Sequence, residues 1–90
     1  MAFTLDLPAR WANQRWKVKI RDRERNEPPH VTILRGTQGW RWGLREQAFL
    51  DEVPDPDDVP PEIVQHIVEN LERLITEWDA MYPENPVASE

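Results

Sequence analysis

The sequence predicts an α+β domain: an antiparallel sheet of three or four strands with one C-terminal amphipathic helix packed on one face. Two observations predict this class. Apolar and basic residues alternate over residues 15–22 and again over 40–45, with the period of two that is typical of a half-buried strand. Over residues 61–82 the apolar residues instead follow the 3.6-residue period of a helix.

The length of 90 residues fits one small domain. We expect a single α+β domain over residues 1–82 and a flexible acidic tail over residues 83–90. Five tryptophans indicate a folded core rather than a disordered chain. The sequence has no cysteine, no apolar run of transmembrane length and no signal-peptide pattern. We therefore expect a cytoplasmic protein with no membrane association.

A short strand near the N-terminus would be the fourth strand of the sheet. Phe3, Leu5 and Leu7 alternate with polar residues, and Pro8 would end such a strand. Residues 9–14 are mainly polar around one tryptophan, so we expect a loop there.

Residues 15–22, 30–35 and 40–45 predict the three main strands, the last two joined by a hairpin turn over residues 36–39. Alternate side chains of a strand point to opposite faces of the sheet. The apolar face of these strands would form the core against the helix, with Trp16, Val18, Ile20, Val31, Ile33, Trp40, Trp42 and Leu44.

Proline-rich segments separate these elements. Residues 22–29 form a charged connection, and its two prolines fix the backbone and exclude a helix. Residues 46–50 either extend the third strand or begin a crossover. Residues 51–61 contain four prolines and five acidic residues, so we expect an irregular acidic loop. The helix over residues 61–82 has proline at its start, where proline is favoured.

The net charge of −6 hides a strong asymmetry between the two halves of the chain. Residues 1–45 contain ten basic and four acidic residues, whereas residues 46–90 contain one basic and thirteen acidic residues. Either the two halves attract each other, or the basic half faces an anionic partner that the acidic half does not contact.

One face of the predicted sheet is basic, because its cations alternate with the apolar core residues. The candidate binding residues on this face are Arg15, Lys17, Lys19, Arg21, Arg41 and Arg45. Such a face is suited to contacts with phosphate groups. Sheets that bind RNA also present aromatic side chains for base stacking, but here the tryptophans fall on the inner face.

Three other interpretations of the basic face stay open. Solvated strands often carry Lys and Arg simply to discourage pairing between sheet edges. The acidic loop at residues 51–58, or the tail at residues 84–90, could fold across the face in place of a ligand. The face could also be an interface between two copies of the chain.

His30 is the single candidate for catalysis. Two prolines hold it at the start of the second main strand, and the ordinary pKa of histidine suits general acid–base chemistry. Glu24 or Glu27 would be the second proton-transfer group. The alternative is a histidine that only hydrogen-bonds to the backbone. We predict no metal site and no cofactor, because two histidines without ligand spacing and no cysteine give no zinc signature.

The segment Asn26-Glu27-Pro28-Pro29-His30-Val31, followed by a hairpin and a C-terminal helix that carries Trp78, resembles a family of small uncharacterised bacterial proteins. Members look like components of toxin–antitoxin-type gene pairs. Their shared core is a basic strand, a Pro-Pro-His corner that leads into a His-x-His strand, a hairpin and one helix. The resemblance spans about residues 15–80. Position 32 is threonine where that family has its second histidine, so only His30 carries over.

The leading hypothesis is a small binding protein whose basic sheet face engages an anionic partner, either nucleic acid or an acidic protein, within a gene-pair module. One alternative is a ribonuclease-like toxin that uses His30 as general acid or base with Arg15, Arg21 or Arg41. The other is a structural subunit that forms a homodimer through its open sheet face.

Overall fold

Among residues 2–24 and 26–87, which this computed structural model describes, five strands form one open antiparallel sheet in chain order. The strands are β1 (Phe3–Leu5), β2 (Trp16–Ile20), β3 (His30–Arg35), β4 (Gln38–Gly43) and β5 (Ala48–Phe49). The helices are α1 (Ala9–Ala12), α2 (Pro61–Glu69) and α3 (Leu71–Met81), and a short 3₁₀ helix covers Pro56–Asp58.

The predicted α+β class, the antiparallel sheet and the C-terminal position of the main helical region are confirmed, but the number of strands is wrong. The fifth strand arises because the chain turns back directly after β4. Gln47 adopts a positive φ of 52°, and its N–H donates to the carbonyl of Gly43 at 2.8 Å. The following residues then pair with β4, with Phe49 opposite Trp42.

The prediction of one helix over residues 61–82 is also wrong in detail, because Asn70 separates α2 from α3. Its backbone has φ −109° and ψ 18°, outside the helical region. Its side-chain Nδ2 donates to the carbonyl of His66 at 2.8 Å, the kind of local bond by which asparagine competes with helix continuation.

Two segments predicted to be loops contain short helices. Residues 9–12 form α1 instead of a loop. Within the proline-rich acidic segment, Asp55 accepts a hydrogen bond from the N–H of Asp57 at 2.9 Å and starts the 3₁₀ helix. Such capping is an ordinary function of aspartate before a helical turn.

The core lies between the apolar face of the sheet and the two C-terminal helices. All eight predicted strand residues of the core are buried, which confirms the predicted inward face. The register pairs Val18 with Ile33 and Ile33 with Trp40, so these side chains share one face. The helices contribute Ile63, Ile67, Leu74 and Trp78, each with 0 % exposure.

The chain after α3 returns to the domain. Val87 is buried, and its N–H donates to Asp79 Oδ1 at 2.9 Å. Trp78 Nε1 donates to the carbonyl of Asn85 at 2.7 Å. Residues 83–87 therefore make specific contacts, whereas the rest of the predicted flexible tail, residues 88–90, lies outside the described residues. Within the described ranges, no helix has both the length and the apolar character to cross a membrane.

Candidate functional site

The register places the predicted cations of the strands on the face opposite the core. Lys19 lies opposite Thr32, and Thr32 lies opposite Arg41 on the next strand. Lys17 lies opposite Leu34. Because directly paired residues of antiparallel strands project to the same side, these side chains share the outer face of the sheet.

Four of the six predicted binding residues lie along or next to β2: Arg15, Lys17, Lys19 and Arg21, which we call the β2 cationic face. Lys19 is half-buried and the other three are exposed. None of the four forms an ion pair with a carboxylate of the described residues. Their charges therefore stay available to a partner.

Arg35 adds a fifth cation that sequence reasoning did not select. It lies at the end of β3 opposite the buried Trp16, so it projects to the core side of the sheet rather than to the outer face. Because the strand ends there, Arg35 is exposed, and its guanidinium lies 5.1 Å from the centre of the Trp16 ring. It lines a shallow depression together with Arg15. The turn signal Gly36-Thr37, which directly follows Arg35, could have indicated that Arg35 lies at an exposed strand end.

The other two predicted binding residues are engaged within the protein. Arg41 forms a bidentate ion pair with Asp51, with 2.8 Å from Nε to Oδ2 and 2.7 Å from Nη2 to Oδ1. Its Nη1 also lies 3.3 Å from Glu27 Oε1. The hydrogen bonds to Asp51 raise the pKa of Arg41, and those from Arg41 lower the pKa of Asp51.

Arg45 lies beyond β4, which ends at Gly43 rather than at residue 45. Its Nε donates to the carbonyl of Val87 at 2.8 Å, and its Nη2 donates to the carbonyl of Pro86 at 2.7 Å. Acidic and C-terminal segments thus contact two predicted binding residues, as one of the alternative interpretations proposed. The described residues of these segments leave the β2 cationic face uncovered.

His30 is the first residue of β3 and is completely buried, with 0 % exposure. Its Nδ1 lies 2.8 Å from the carbonyl oxygen of Pro28. Its Nε2 lies 3.5 Å from Glu24 Oε2 and 3.7 Å from Glu27 Oε1. The ring also packs on Trp78 of α3, with 5.6 Å between ring centres. We call Glu24, Glu27 and His30 the corner cluster.

Contacts with the C-terminal segment hold the corner cluster in place. The N–H of Glu24 donates to the hydroxyl oxygen of Tyr82 at 3.0 Å, and that hydroxyl donates to the carbonyl of Arg21. Asn85 Nδ2 donates to the carbonyl of Glu27 at 2.7 Å. The charged connection between β2 and β3 is therefore fixed at both glutamates by residues far along the chain.

Burial by itself lowers the pKa of His30, but the neighbouring acceptors outweigh that effect. The side chain of Glu24, the carbonyl of Pro28 and the charge of Glu27 together raise the pKa above the ordinary value of 6.5. The corner cluster thus favours a positive charge at Nε2. The cluster adjoins an open pocket of about 410 Å³ whose lining includes both glutamates, Thr32 and Arg41.

The structure brings His30 together with both of the glutamates that were candidate proton-transfer groups. It does not bring His30 to the surface, so a macromolecular substrate has no access to its ring in this conformation. Catalysis by His30 stays a prediction. The spacing Glu24-x-x-Glu27-x-x-His30 was visible in the sequence, but outside a helix such a spacing does not predict that the side chains meet.

Comparisons with models of known protein families, with curated proteins and with solved structures found no match to this chain. The resemblance to a family of gene-pair components therefore stays a prediction.

Proposed function

We propose that the protein is a small binding protein whose β2 cationic face binds the phosphate backbone of nucleic acid. One observation carries the proposal: Lys17 and Lys19 of β2 line one depression together with Arg15, and neither these cations nor Arg21 forms an ion pair with a described carboxylate. The row lies on the open side of the sheet, whereas the helices pack on the apolar side.

The spacing of the row suits a polyanion. Residues two apart on a strand project to the same side about 6.5 Å apart. Neighbouring cations are therefore regularly spaced along the strand. Arg35 projects to the core side at the end of β3, but it is exposed and lines a depression together with Arg15, so it adds a cation beside the end of the row. A phosphate backbone offers repeated single charges along such a line, and its neutralisation releases bound counterions.

The positions of the tryptophans define the mode of binding. Four of the five tryptophans, Trp16, Trp40, Trp42 and Trp78, are at most 3 % exposed, so they offer no surface for base stacking. The fifth, Trp11, packs partly buried against the core, with the Arg10 guanidinium 4.9 Å from its ring centre. Contacts would therefore go to phosphates rather than to bases, and we expect little sequence preference. The acidic second half of the chain would repel a polyanion and orient it towards the β2 cationic face.

The test is a titration of labelled single-stranded and double-stranded RNA with the purified protein at two salt concentrations. We expect binding that weakens steeply with salt, and Lys17→Glu should weaken it at least about tenfold at low salt. Arg73→Glu is the matched control, because it makes the same change of charge at an exposed position on α3.

Two results would overturn the proposal: no binding at low salt, or equal losses in Lys17→Glu and Arg73→Glu. In the second case the binding would follow net charge alone. If RNA fails to bind, an acidic protein becomes the better candidate for the β2 cationic face. Intact RNA after the titration would also count against the ribonuclease hypothesis, which the burial of His30 already disfavours.

The cellular setting belongs to the same proposal. Membership of a toxin–antitoxin-type pair rests on the resemblance around His30, and a cytoplasmic location rests on the cysteine-free sequence. A homodimer through the open sheet face would cover the β2 cationic face, so a dimeric mass in solution together with loss of RNA binding would favour that alternative.

A further inference from the structure

The corner cluster brings three metal-ligating atoms together. One carboxylate oxygen from Glu24, one from Glu27 and Nε2 of His30 all lie within 4.8 Å of one another. Nε2 is fully buried and has no hydrogen-bond partner among the described residues. A buried polar atom without a partner is rare in folded proteins and calls for a physical explanation.

The contact at Nδ1 determines which ring nitrogen of neutral His30 carries the hydrogen. Nδ1 lies 2.8 Å from the carbonyl oxygen of Pro28, and a carbonyl oxygen only accepts, so Nδ1 carries the hydrogen. The lone pair of Nε2 then points towards two carboxylates. This arrangement is repulsive unless a cation lies between the three groups.

The distances from His30 Nε2 to the two carboxylates fit a bound metal ion better than a shared proton. Charge-assisted hydrogen bonds from nitrogen to carboxylate oxygen are about 2.7–2.9 Å long, whereas Nε2 lies 3.5 Å and 3.7 Å from the two oxygens. Around a tetrahedral zinc ion, bonds of about 2.0–2.2 Å separate neighbouring ligand atoms by roughly 3.4 Å. The two separations from Nε2 are close to that value and longer than charge-assisted hydrogen bonds, and the third separation, between the two carboxylate oxygens, is within 4.8 Å.

We propose that Glu24, Glu27 and His30 bind a divalent first-row transition-metal ion, with Zn²⁺ as the first candidate. One imidazole and two carboxylates are an ordinary ligand set for such an ion. Three protein ligands leave a fourth position open, as in catalytic rather than structural zinc sites. The adjoining pocket, lined by both glutamates and Thr32, provides the route of entry.

The groups around the cluster support this assignment. The carbonyl of Pro28 holds the imidazole in the tautomer that a metal requires, a common second contact of ligating histidines. The backbone N–H of Arg21 lies 3.3 Å from Glu24 Oε1 and leaves Oε2 for the ion. Arg41 Nη1 donates to Glu27 Oε1, the same oxygen that faces His30, at 3.3 Å, and the charge of Arg41 is balanced by its bidentate pair with Asp51.

The sequence has no zinc signature because such signatures consist of histidines and cysteines, whereas two of the three ligands of the proposed site are glutamates of a loop. The prediction of no metal site therefore does not exclude it. The metal proposal also stands independently of RNA binding, since none of its three ligands belongs to the β2 cationic face. Either proposal can fail without affecting the other.

The test is calorimetric titration of Zn²⁺ into full-length protein that has been treated with a chelator and dialysed. We expect one saturable site per chain. Glu27→Gln should weaken it at least about tenfold, and this variant should fold because the Glu27 side chain is 43 % exposed. The matched control is Glu52→Gln, which makes the same chemical change on an exposed loop residue.

Binding of Co²⁺, followed by visible absorption, gives a second measurement that is independent of calorimetry. A visible absorption band typical of tetrahedral Co²⁺ should appear with wild-type protein and Glu52→Gln, and should be lost in Glu27→Gln. Absence of saturable Zn²⁺ binding, or equal affinity in Glu27→Gln and wild type, would overturn the proposal. The corner cluster would then be an ion pair of protonated His30 with the two glutamates.

Discussion

The β2 cationic face and the corner cluster are both rich in charge, but their surroundings differ. Lys17 on the sheet is exposed and has no ion pair among the described residues, whereas His30 at the corner is fully buried between two carboxylates. Exposed charges contribute little to folding, and breaking a buried pair costs several kcal/mol. Charge on the sheet is therefore available for a partner, and charge at the corner supports the fold or holds an ion.

Arg41 marks the boundary between the two regions. It projects from the outer face of β4 like the cations of β2, and its side chain is 36 % exposed. Asp51 and Glu27 both reach it from neighbouring segments. Its position shows that a basic alternation along a strand does not by itself define a binding surface, because acidic residues elsewhere in the chain decide which cations stay unpaired.

The largest effect on stability is expected for His30→Ala in metal-free protein. The variant removes a fully buried ring from its contact with Trp78 and leaves Glu24, whose side chain is 10 % exposed, without its cationic partner. We expect a loss of about 3 kcal/mol in the free energy of unfolding. Urea denaturation followed by tryptophan fluorescence measures it.

The control for this variant is His66→Ala, since His66 is the other histidine and is only half-buried. Its Nε2 contacts the carbonyl of Asp6 at 2.8 Å, so we expect a loss of about 1 kcal/mol. Equal losses in the two variants would remove the distinction between the corner cluster and the surface.

An intermediate effect is expected for Asp51→Asn, which removes the charge that faces Arg41. Because both side chains are about one-third exposed, we expect a loss of about 1 kcal/mol near neutral pH. Arg41 lowers the pKa of Asp51, so the pair stabilises the protein above the ordinary pKa of aspartate, about 3.9. That stabilisation is lost as the pH falls through the lowered pKa of the folded state.

Urea denaturation at neutral pH and at about pH 3 tests the prediction for Asp51→Asn. The difference between the variant and wild type should shrink at the lower pH. The matched control, Asp58→Asn, changes an exposed aspartate that makes no ion pair with the described residues. If Asp58→Asn shows the same acid-dependent difference, the effect belongs to net charge and not to the contact with Arg41.

The smallest effect on stability is expected for the double variant Lys17→Gln, Lys19→Gln. Because neither ammonium group has a carboxylate partner in the described part of the chain, we expect the unfolding free energy to change by less than about 0.5 kcal/mol. RNA binding, in contrast, should weaken and lose part of its salt dependence. A large loss of stability would mean that the lysines belong to the fold.

Local patterns in the sequence predicted the parts of the fold that depend on local chemistry. Alternation over β2, β3 and β4 identified the three main strands and all eight of their buried core residues. It gave no sign of β5, because two residues cover a single period of the strand alternation and cannot show a repeat.

The candidate sites likewise contain a part that local patterns predicted and a part that they did not. Part of the basic row was visible in the sequence because strand geometry alone brings Lys17 and Lys19 of β2 to one side. Arg15 and Arg21 lie just outside the strand, and Arg15 has a positive φ of 73°, so alternation does not place them. The sequence raised the acidic loop and the tail as segments that could cover the basic face. It did not show that they would engage Arg41 and Arg45, since the acceptors lie 10 or more residues away along the chain.

The sequence by itself determined the class of the fold, the composition of the core and the sign of the outer sheet face, because each follows from side-chain periodicity within one element. Only the tertiary structure decided that Glu24, Glu27 and His30 converge. The described residues of their connection form no helix or strand, and its shape depends on Tyr82 and Asn85, which follow α3 and contact it across 58 residues of sequence. Contacts between such distant segments are set by packing, and no local pattern records them.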